Sequence, residues 1–428
     1  MGLNGWLHPD FATLAERFAG EVAAYPGGAG LCVYRDEQCV VDLWGGVRDA
    51  AGRPWLRETL APSFSTTKGV ASTLVHIAVD RGLLDYDAPV SLYWPEFGAA
   101  GKSAITLRQV LSHQAGLYSI RQMIDDAGRM LDWEHMVRAI ERARPVHAPG
   151  ERTGYHGLTY GFIVGEILQR VTGKPFSKLV REELALPLGL EGCFVGAPPE
   201  AISRTADLLW PTRGLLGPGP LGDVSRSVLK LVSGGLEHLQ PFVNLAGIPL
   251  DLNGLRDALA PPGIQNFDFG APETLAASIP AANGVFDARS LARMYAALGR
   301  GGELDGVRIL SRETVAAATE LQEPTRSRVV IPFDMRWRLG YHGAFTSRGR
   351  LPGGFGHFGF GGSGAWAHPE SGMALALVAN SGLGTPFGDF RIARLGAAAV
   401  ACRPEESSGA EPVAVDEVLG RAPSAHTG

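Results

Sequence analysis

The chain has 428 residues, of which 45% are hydrophobic and 19% charged, and its 39 Lys and Arg against 44 Asp and Glu give a formal net charge of −5. This composition predicts a packed globular protein and excludes wholesale disorder. The mild negative charge disfavours a nucleic-acid-binding protein, which usually carries a basic stripe, and no apolar run approaches the roughly 18–20 residues that a membrane-spanning helix needs.

The N-terminal part of the chain shows both helix and strand patterns. Apolar residues at helical spacing predict a helix over residues 8–25, which a proline and two glycines end. Two β-rich runs, Gly30–Tyr34 and Cys39–Trp44, are separated by four polar residues and predict a hairpin. A long apolar helical pattern then covers Lys68–Gly82 and stops at a glycine.

Further helices, turns and strands are predicted in the rest of the chain. The amphipathic patterns predict helices over residues 104–117, 157–172, 288–298 and about 311–321. Turns are expected at Pro187–Leu190 and at Gly301–Gly302, and glycine-punctuated β-rich runs fill residues 355–380. Residues 205–280 show no sustained period and are expected to shape a cleft.

Strand patterns near both ends with helices between them predict two lobes. We expect a mixed α/β lobe from residues 1–70 and 281–402 and a mainly helical lobe from residues 71–280. The active site should lie in the crevice between them. Residues 403–428 are small, polar and proline-rich, so a loose C-terminal tail is expected.

The segment Ser65–Lys68 is the first candidate for chemistry. It places a serine at the start of a helix pattern and a lysine three residues later, so both lie on one helix face. The positive helix N-terminus and a partly desolvated lysine can ease deprotonation of the serine. The tetrapeptide alone does not decide, because a polar first turn of a surface helix looks the same and Ser227–Lys230 repeats the pattern.

Two later segments give Ser65 a context. Tyr155 lies in the glycine-rich loop Gly150–Gly157, and Gly356–Gly364 carries His357-Phe358-Gly359. Serine-x-x-lysine, loop tyrosine and histidine-x-glycine, in this order, resemble the penicillin-binding-protein-like serine hydrolases. Within them the chain is most similar to the esterases of class C β-lactamase type, the family VIII carboxylesterases. The likeness runs from about residue 8 to 400 and includes the phrases Asp80–Asp85, Tyr93–Phe97 and Leu111–Leu117.

The resemblance implies a fold and three catalytic residues. The fold would be the β-lactamase/transpeptidase-like one, α/β plus all-α, with an antiparallel sheet flanked by helices and a mainly helical second lobe. Ser65 would be the nucleophile and Lys68 its activating partner. Tyr155 would exchange protons with the nucleophile and the leaving group.

The resemblance also implies the walls of the cleft. His357, Phe358 and Gly359 would form the strand that lines it, and the backbone N–H groups of Ser65 and Phe360 would form the oxyanion hole. Trp366 is the aromatic residue assigned to the cleft, with a place in the core as the alternative.

Other polar residues are weaker candidates. Ser363 nearly matches a nucleophile elbow, but the fifth residue of that motif is alanine and no strand-to-helix turn follows. His113 heads a framework phrase and is interpreted as a hydrogen-bonded structural histidine. Because His76, Asp85 and Asp87 lack metal-ligand spacing, we expect no metal and no cofactor.

Departures from the family pattern bear on the substrate. Lactam-processing members carry an asparagine where this chain has Gly157, and a Lys-Thr pair where it has His357 and Phe358. A neutral or aromatic ester is therefore expected as the small-molecule substrate. An acyltransferase or an amide or β-lactam hydrolase on the same machinery is the alternative. A catalytically silent binding module is disfavoured, since Ser65, Lys68 and Tyr155 are all present.

The N-terminus and the cysteines bear on the compartment. The first residues lack a basic stretch, a continuous apolar core and a cleavage site, so a cytoplasmic protein is expected. The four cysteines are scattered without a Cys-x-x-Cys motif and are interpreted as reduced structural thiols: Cys32, Cys39, Cys193 and Cys402.

Overall fold

Strands from both ends of the chain build one large sheet. The computed structural model describes residues 2–209, 251–323, 327–331, 334–382, 389–402 and 411–420. Its strands are β1 Leu3–Leu7, β2 Gly28–Arg35, β3 Gln38–Gly46, β4 Ala61–Pro62, β5 Arg152–Gly154, β6 Cys193–Phe194, β7 Val285–Phe286, β8 Glu303–Leu304, β9 Val307–Arg308, β10 Ser327–Val329, β11 His342–Thr346, β12 Gly349–Phe358, β13 Gly364–His368, β14 Met373–Ala379 and β15 Val413–Ala414.

The main sheet has eight strands in the order β11-β12-β13-β14-β2-β3-β1-β15, with antiparallel neighbours throughout. Its middle strands read as continuous apolar runs because both faces are covered. Three small sheets accompany it: β4-β7-β6, β8-β9 and the parallel pair β10-β5.

Helices fill the chain between and around these strands. The described α-helices are α1 Ala12–Ala24, α2 Thr67–Asp80, α3 Leu107–Leu111, α4 Trp133–Arg142, α5 Thr159–Thr172, α6 Phe176–Leu179, α7 Leu186–Leu188, α8 Pro199–Ile202, α9 Leu252–Leu259, α10 Pro272–Ala276, α11 Ala288–Gly299, α12 Arg312–Thr319, α13 Arg391–Ala401 and α14 Val415–Leu419. None of them is both long and apolar enough to cross a membrane.

The two faces of the sheet pack into different cores because side chains alternate along a strand. On β2, Leu31 and Val33 pack with residues of α1 and α13. Cys32 and Tyr34, on the opposite face, pack with residues of α2 and α11. The Ser65–Lys68 segment at the start of α2 therefore lies on the second face, next to the large core.

Most predicted elements are confirmed. The N-terminal helix, the β2–β3 hairpin, α2, α5, α11 and α12 occupy the predicted places, and Met373–Ala379 is a strand. The predicted turns hold left-handed glycines, Gly189 with φ 63° and Gly301 with φ 80°. The cysteines are free thiols, with Cys32 Sγ 3.6 Å from Cys39 Sγ across the hairpin.

The helix predicted over residues 104–117 is wrong in its extent, since the α-helix covers Leu107–Leu111. Thr106 begins it with a capping box, in which its side chain accepts from the backbone N–H of a residue in the first turn. His113 then takes a left-handed φ of 60° and Gly116 one of 71°, so the chain turns away. The apolar spacing continues past this turn because the following residues are also buried.

The prediction of a loose C-terminal tail over residues 403–428 is wrong for part of this segment. Val413–Ala414 adds an edge strand beside β1, and Val415 is buried. Residues 403–410 and 421–428 lie outside the described residues. The division into two lobes at the boundaries given above stays a prediction.

Candidate active site

Ser65 lies in a short 3-10 turn, Phe64–Thr66, that runs into α2. Thr67 Oγ1 donates to the carbonyl of Phe64 and accepts from the N–H of Gly284, which ties the turn to the residue before β7. Phe64 has a φ of 45°, a region that bulky residues rarely adopt. Such backbone strain persists only where the surroundings hold it, and here it directly precedes Ser65.

Lys68 is fully buried at the first turn of α2. Its Nζ lies 3.1 Å from Ser65 Oγ and donates to the carbonyls of Gly157 at 2.7 Å and Ala281 at 2.9 Å. No carboxylate among the described residues offsets its charge, and burial lowers the pKa of Lys68 well below its usual value.

These three contacts suit a neutral amine. An uncharged lysine has two N–H hydrogens and one lone pair, and the two carbonyls can take the two hydrogens. The lone pair of Nζ then faces Ser65 Oγ and can accept its proton. The same neighbours hold the ammonium after proton transfer, because it has three donors for three acceptors.

Tyr155 approaches Ser65 from the other side. Its hydroxyl donates to Ser65 Oγ at 2.8 Å, and burial raises the pKa of Tyr155 above its usual value. The phenol is therefore protonated at neutral pH and acts as a donor. Its ring stacks on Trp337, with centroids 5.7 Å apart and planes 15° apart, and meets the edge of His113 at 4.9 Å.

Four buried histidines lie near Lys68 and Tyr155, and all four rings are uncharged. Burial lowers the pKa of His156 to about 3 and that of His342 to about 4, and it lowers the pKa values of His113 and His357 well below the usual range. His113 Nδ1 accepts from the N–H of His156 at 3.2 Å, as expected of a structural histidine. The neutral rings add no positive charge near Lys68.

At Gly359, directly after β12, the chain reaches the 3-10 turn that contains Ser65. A Cβ atom on Gly359 would lie 2.2 Å from the carbonyl oxygen of Ser63 and 2.9 Å from Thr66 Oγ1. Since the first neighbour is backbone, glycine is required for this close approach. The next residue, Phe360, places its ring 5.6 Å from that of Phe64.

The Beta-lactamase family model matches residues 15–399. The chain belongs to the beta-lactamase family. It is 40% identical over 386 residues to Esterase/beta-lactamase LipL of Mycobacterium tuberculosis, covering 88% of this chain and 82% of that protein.

Two solved structures resemble this beta-lactamase-family chain along most of its length. A penicillin-binding protein homologue from Caulobacter crescentus has a TM-score of 0.80 and 33% identity, covering 94% of this chain and 100% of that one. A family VIII carboxylesterase has a TM-score of 0.76 and 32% identity, with the same two coverages. The predicted fold class and family are confirmed, and the chain is a serine hydrolase of β-lactamase fold.

Two side chains that were expected in the cleft, those of Phe358 and Trp366, lie in the core. His357 faces Tyr155, but Phe358 alternates to the other side of β12 and packs in the core that α13 covers. Trp366 is fully buried in the same core, because β13 is an inner strand and Trp366 lies on that same face. The assignment of the Phe358 and Trp366 side chains to the cleft is therefore wrong.

Of the two weaker serine candidates, the structure describes Ser363. Ser363 Oγ accepts from the N–H of Ala379 at 3.0 Å and donates to its carbonyl at 3.3 Å, a structural bridge between β14 and the residue before β13. Ser227 lies outside the described residues.

Sequence reasoning missed two parts of the site. The carbonyl of Ala281, which binds Lys68, has no sequence signature because any residue supplies a carbonyl. Trp337 follows no recognised motif, yet it covers the ring of Tyr155. Its partial exposure and irregular surroundings are visible only in the structure, so the sequence carried no signal for it.

Proposed function

We propose that this protein hydrolyses small carboxylic esters through an acyl-enzyme on Ser65. The observation that carries the proposal is the convergence of Lys68 Nζ and Tyr155 Oη on Ser65 Oγ, at 3.1 Å and 2.8 Å. The 40% identity to a protein named an esterase/beta-lactamase supports it, as does the likeness to a family VIII carboxylesterase.

In acylation, Ser65 Oγ attacks the ester carbonyl carbon and its proton passes to Lys68 Nζ. The carbonyl oxygen becomes an oxyanion, which the backbone N–H groups of Ser65 and Phe360 stabilise. The C–O bond to the alcohol then breaks. Tyr155 gives its proton to the departing oxygen and recovers one from the Lys68 ammonium. Water repeats the sequence on the acyl-enzyme and releases the acid.

Labelling tests the proposal directly. A fluorophosphonate should modify Ser65, as located by the mass of the modified peptide. A p-nitrophenyl ester should give a burst of p-nitrophenol that matches the enzyme concentration if deacylation is the slow step. Labelling confined to another residue would contradict the proposal.

The surroundings of Gly157 favour an apolar ester. A Cβ atom there would lie 2.2 Å from Leu259 Cδ2 and 3.0 Å from the carbonyl oxygen of Ala258, so α9 fills the space of a side chain. Leu255 and Ala258 of the same helix pack with Tyr155. The tyrosine side of the site therefore offers apolar contact in place of an amide.

We accordingly expect p-nitrophenyl butyrate to be turned over with a kcat/KM at least about tenfold higher than that of benzylpenicillin or a D-Ala-D-Ala peptide, a difference of about 1.4 kcal/mol in transition-state binding. Hydrolysis of β-lactams is the second candidate function, favoured by the name of the 40% identical relative. Steady-state kinetics on the three substrates decide between them. A penicillin preference of tenfold or more, about the same free-energy difference with the opposite sign, would make lactam hydrolysis the main activity.

We expect Tyr155→Phe to lower kcat about 10²–10⁴-fold, since this is the usual contribution of a general acid or base. The phenyl ring keeps its stacking on Trp337, so KM for p-nitrophenyl butyrate should change little. Trp337→Phe is the matched control, because it alters the stacking partner and keeps the hydroxyl. A folded Tyr155→Phe protein with near-normal kcat would rule out proton transfer by the tyrosine.

A further inference from the structure

A buried ion pair lies directly behind the turn that follows β12, which we call the 359–363 turn. Asp389 is completely buried and Arg391 is 2% exposed. Arg391 Nη2 donates to Asp389 Oδ2 at 2.7 Å, and its Nε donates to both carboxylate oxygens at 3.1 Å. Arg391 is the first residue of α13 and Asp389 precedes the helix by two residues, outside every motif discussed above.

The guanidinium of Arg391 also holds backbone. Its Nη2 donates to the carbonyl of Gly361 at 2.8 Å and to that of Ser381, beyond the end of β14. Its flat face lies 3.9 Å from the ring centroid of Tyr25. One planar group thus connects the 359–363 turn, the end of β14 and the residue after α1.

The 359–363 turn needs an external restraint. Gly361 and Gly362 both have left-handed φ values, 87° and 91°, and consecutive glycines lose much conformational freedom when they are fixed. A Cβ atom on Gly362 would lie 2.6 Å from Asp389 Oδ2 and 2.7 Å from Arg391 Nη2. The turn is therefore pressed against the ion pair without space for a side chain.

The place of this contact connects it to catalysis. Gly361 follows Phe360, whose N–H is the second oxyanion donor in the function proposed above. Because the Gly361 carbonyl is held, the plane of the Gly361–Gly362 peptide is fixed. The two peptides that flank Phe360, one of which carries its N–H, then lie between restrained points at Gly359 and Gly361. Gly359 itself is held by its N–H bond to the carbonyl of Ser363 at 2.7 Å.

We propose that Arg391, held by Asp389 and stacked on Tyr25, is a positioning residue for the oxyanion hole. It restrains the 359–363 turn so that the Phe360 N–H is directed at the developing oxyanion. The proposal rests on the proposed acyl-enzyme function. A restraint of this kind acts on the transition state, because ester binding does not require the fully aligned donor.

Arg391→Lys is the main test. Lysine keeps the charge beside Asp389 but lacks the planar fork that reaches the carboxylate and two carbonyls together. We expect kcat for p-nitrophenyl butyrate to fall about 10–100-fold, with KM within about threefold, since small misplacements of catalytic groups cost this much. Binding of phenylboronic acid, which accepts the Ser65 Oγ electron pair and places an oxygen in the oxyanion hole, should weaken by a similar factor.

A matched control distinguishes positioning from general stability. Arg170 also pairs with two carboxylates, Glu96 and Glu166, and stacks on Trp94, but it lies at the far end of α5. Arg170→Lys should leave kcat and phenylboronic acid binding within twofold, or about 0.4 kcal/mol. Circular dichroism and thermal unfolding of both variants measure any loss of stability separately.

Tyr25→Leu provides a second test if Arg391→Lys fails to fold. It removes the ring under the guanidinium and leaves the ion pair intact, so we expect a smaller loss of kcat in the same direction. The proposal is overturned if folded Arg391→Lys keeps wild-type kcat and phenylboronic acid affinity or, where Arg391→Lys does not fold, if folded Tyr25→Leu keeps both. If the wild-type protein is not labelled at Ser65, the proposed function itself fails, which is a separate result.

Discussion

Replacing Ser65 by alanine is expected to abolish acyl-enzyme formation and to lower kcat for p-nitrophenyl butyrate by at least about 10⁴-fold. Ser65 Oγ is the atom on which Lys68 and Tyr155 converge, and alanine leaves no oxygen to attack the ester. The side chain is small and partly exposed, so the fold should be retained. Intact-protein mass after ester addition and steady-state kinetics measure the two effects.

Two other serines serve as controls for this result. Ser363→Ala removes the bridge to Ala379, so some stability should be lost, but a substantial part of kcat should remain. Ser227→Ala should also stay active, because only the Ser-x-x-Lys pattern supports Ser227 as a nucleophile. A well-folded but inactive Ser363→Ala protein together with an active Ser65→Ala protein would overturn the assignment of the nucleophile.

The parts of the site that the sequence predicted are those in which chemistry requires a particular side chain. The sequence shows a serine one helical turn before a lysine, followed by a loop tyrosine and a glycine-containing strand. This pattern can be recognised because other residue types cannot supply the same chemistry. Gly359 belongs to this group for a steric reason, since any side chain would collide with the backbone of Ser63.

The parts that the sequence did not predict depend on tertiary packing. Trp366 and His357 lie on neighbouring strands, yet the pleat sends Trp366 into the core and His357 toward Tyr155. Periodicity also continued through His113, where one left-handed residue ended the helix. Strand pairing and single backbone angles decide such cases, and neither can be seen in the order of apolar residues.

Lys68 combines a predicted side chain with unpredicted partners. The sequence predicted a lysine beside Ser65, whereas the structure adds two carbonyl acceptors and complete burial. These additions change the expected chemistry, because burial opposes the ammonium form and the carbonyls occupy two hydrogens of the amine. The lysine is therefore suited to accept a proton from Ser65.

Lys68→Arg is expected to be nearly as inactive in acylation as Lys68→Ala, with a loss of about 10²–10⁴-fold, the usual contribution of a general base. Arginine keeps a positive charge but is not deprotonated in proteins, so it cannot take the Ser65 proton. Pre-steady-state bursts with p-nitrophenyl butyrate measure the acylation rate. Circular dichroism of both variants shows whether each one is folded.

The pH dependence of the wild-type protein tests the same idea independently. In the proposed mechanism the neutral amine is the active form, so kcat/KM should fall as pH decreases through the pKa of Lys68 and level off above it. Because burial lowers this pKa well below the usual value of 10.5, the active form extends to lower pH than for an exposed lysine. The residual activity of Lys68→Arg should lack this limb. A folded Lys68→Arg protein that keeps a large part of the acylation rate would show that the site needs charge, with Tyr155 as the base.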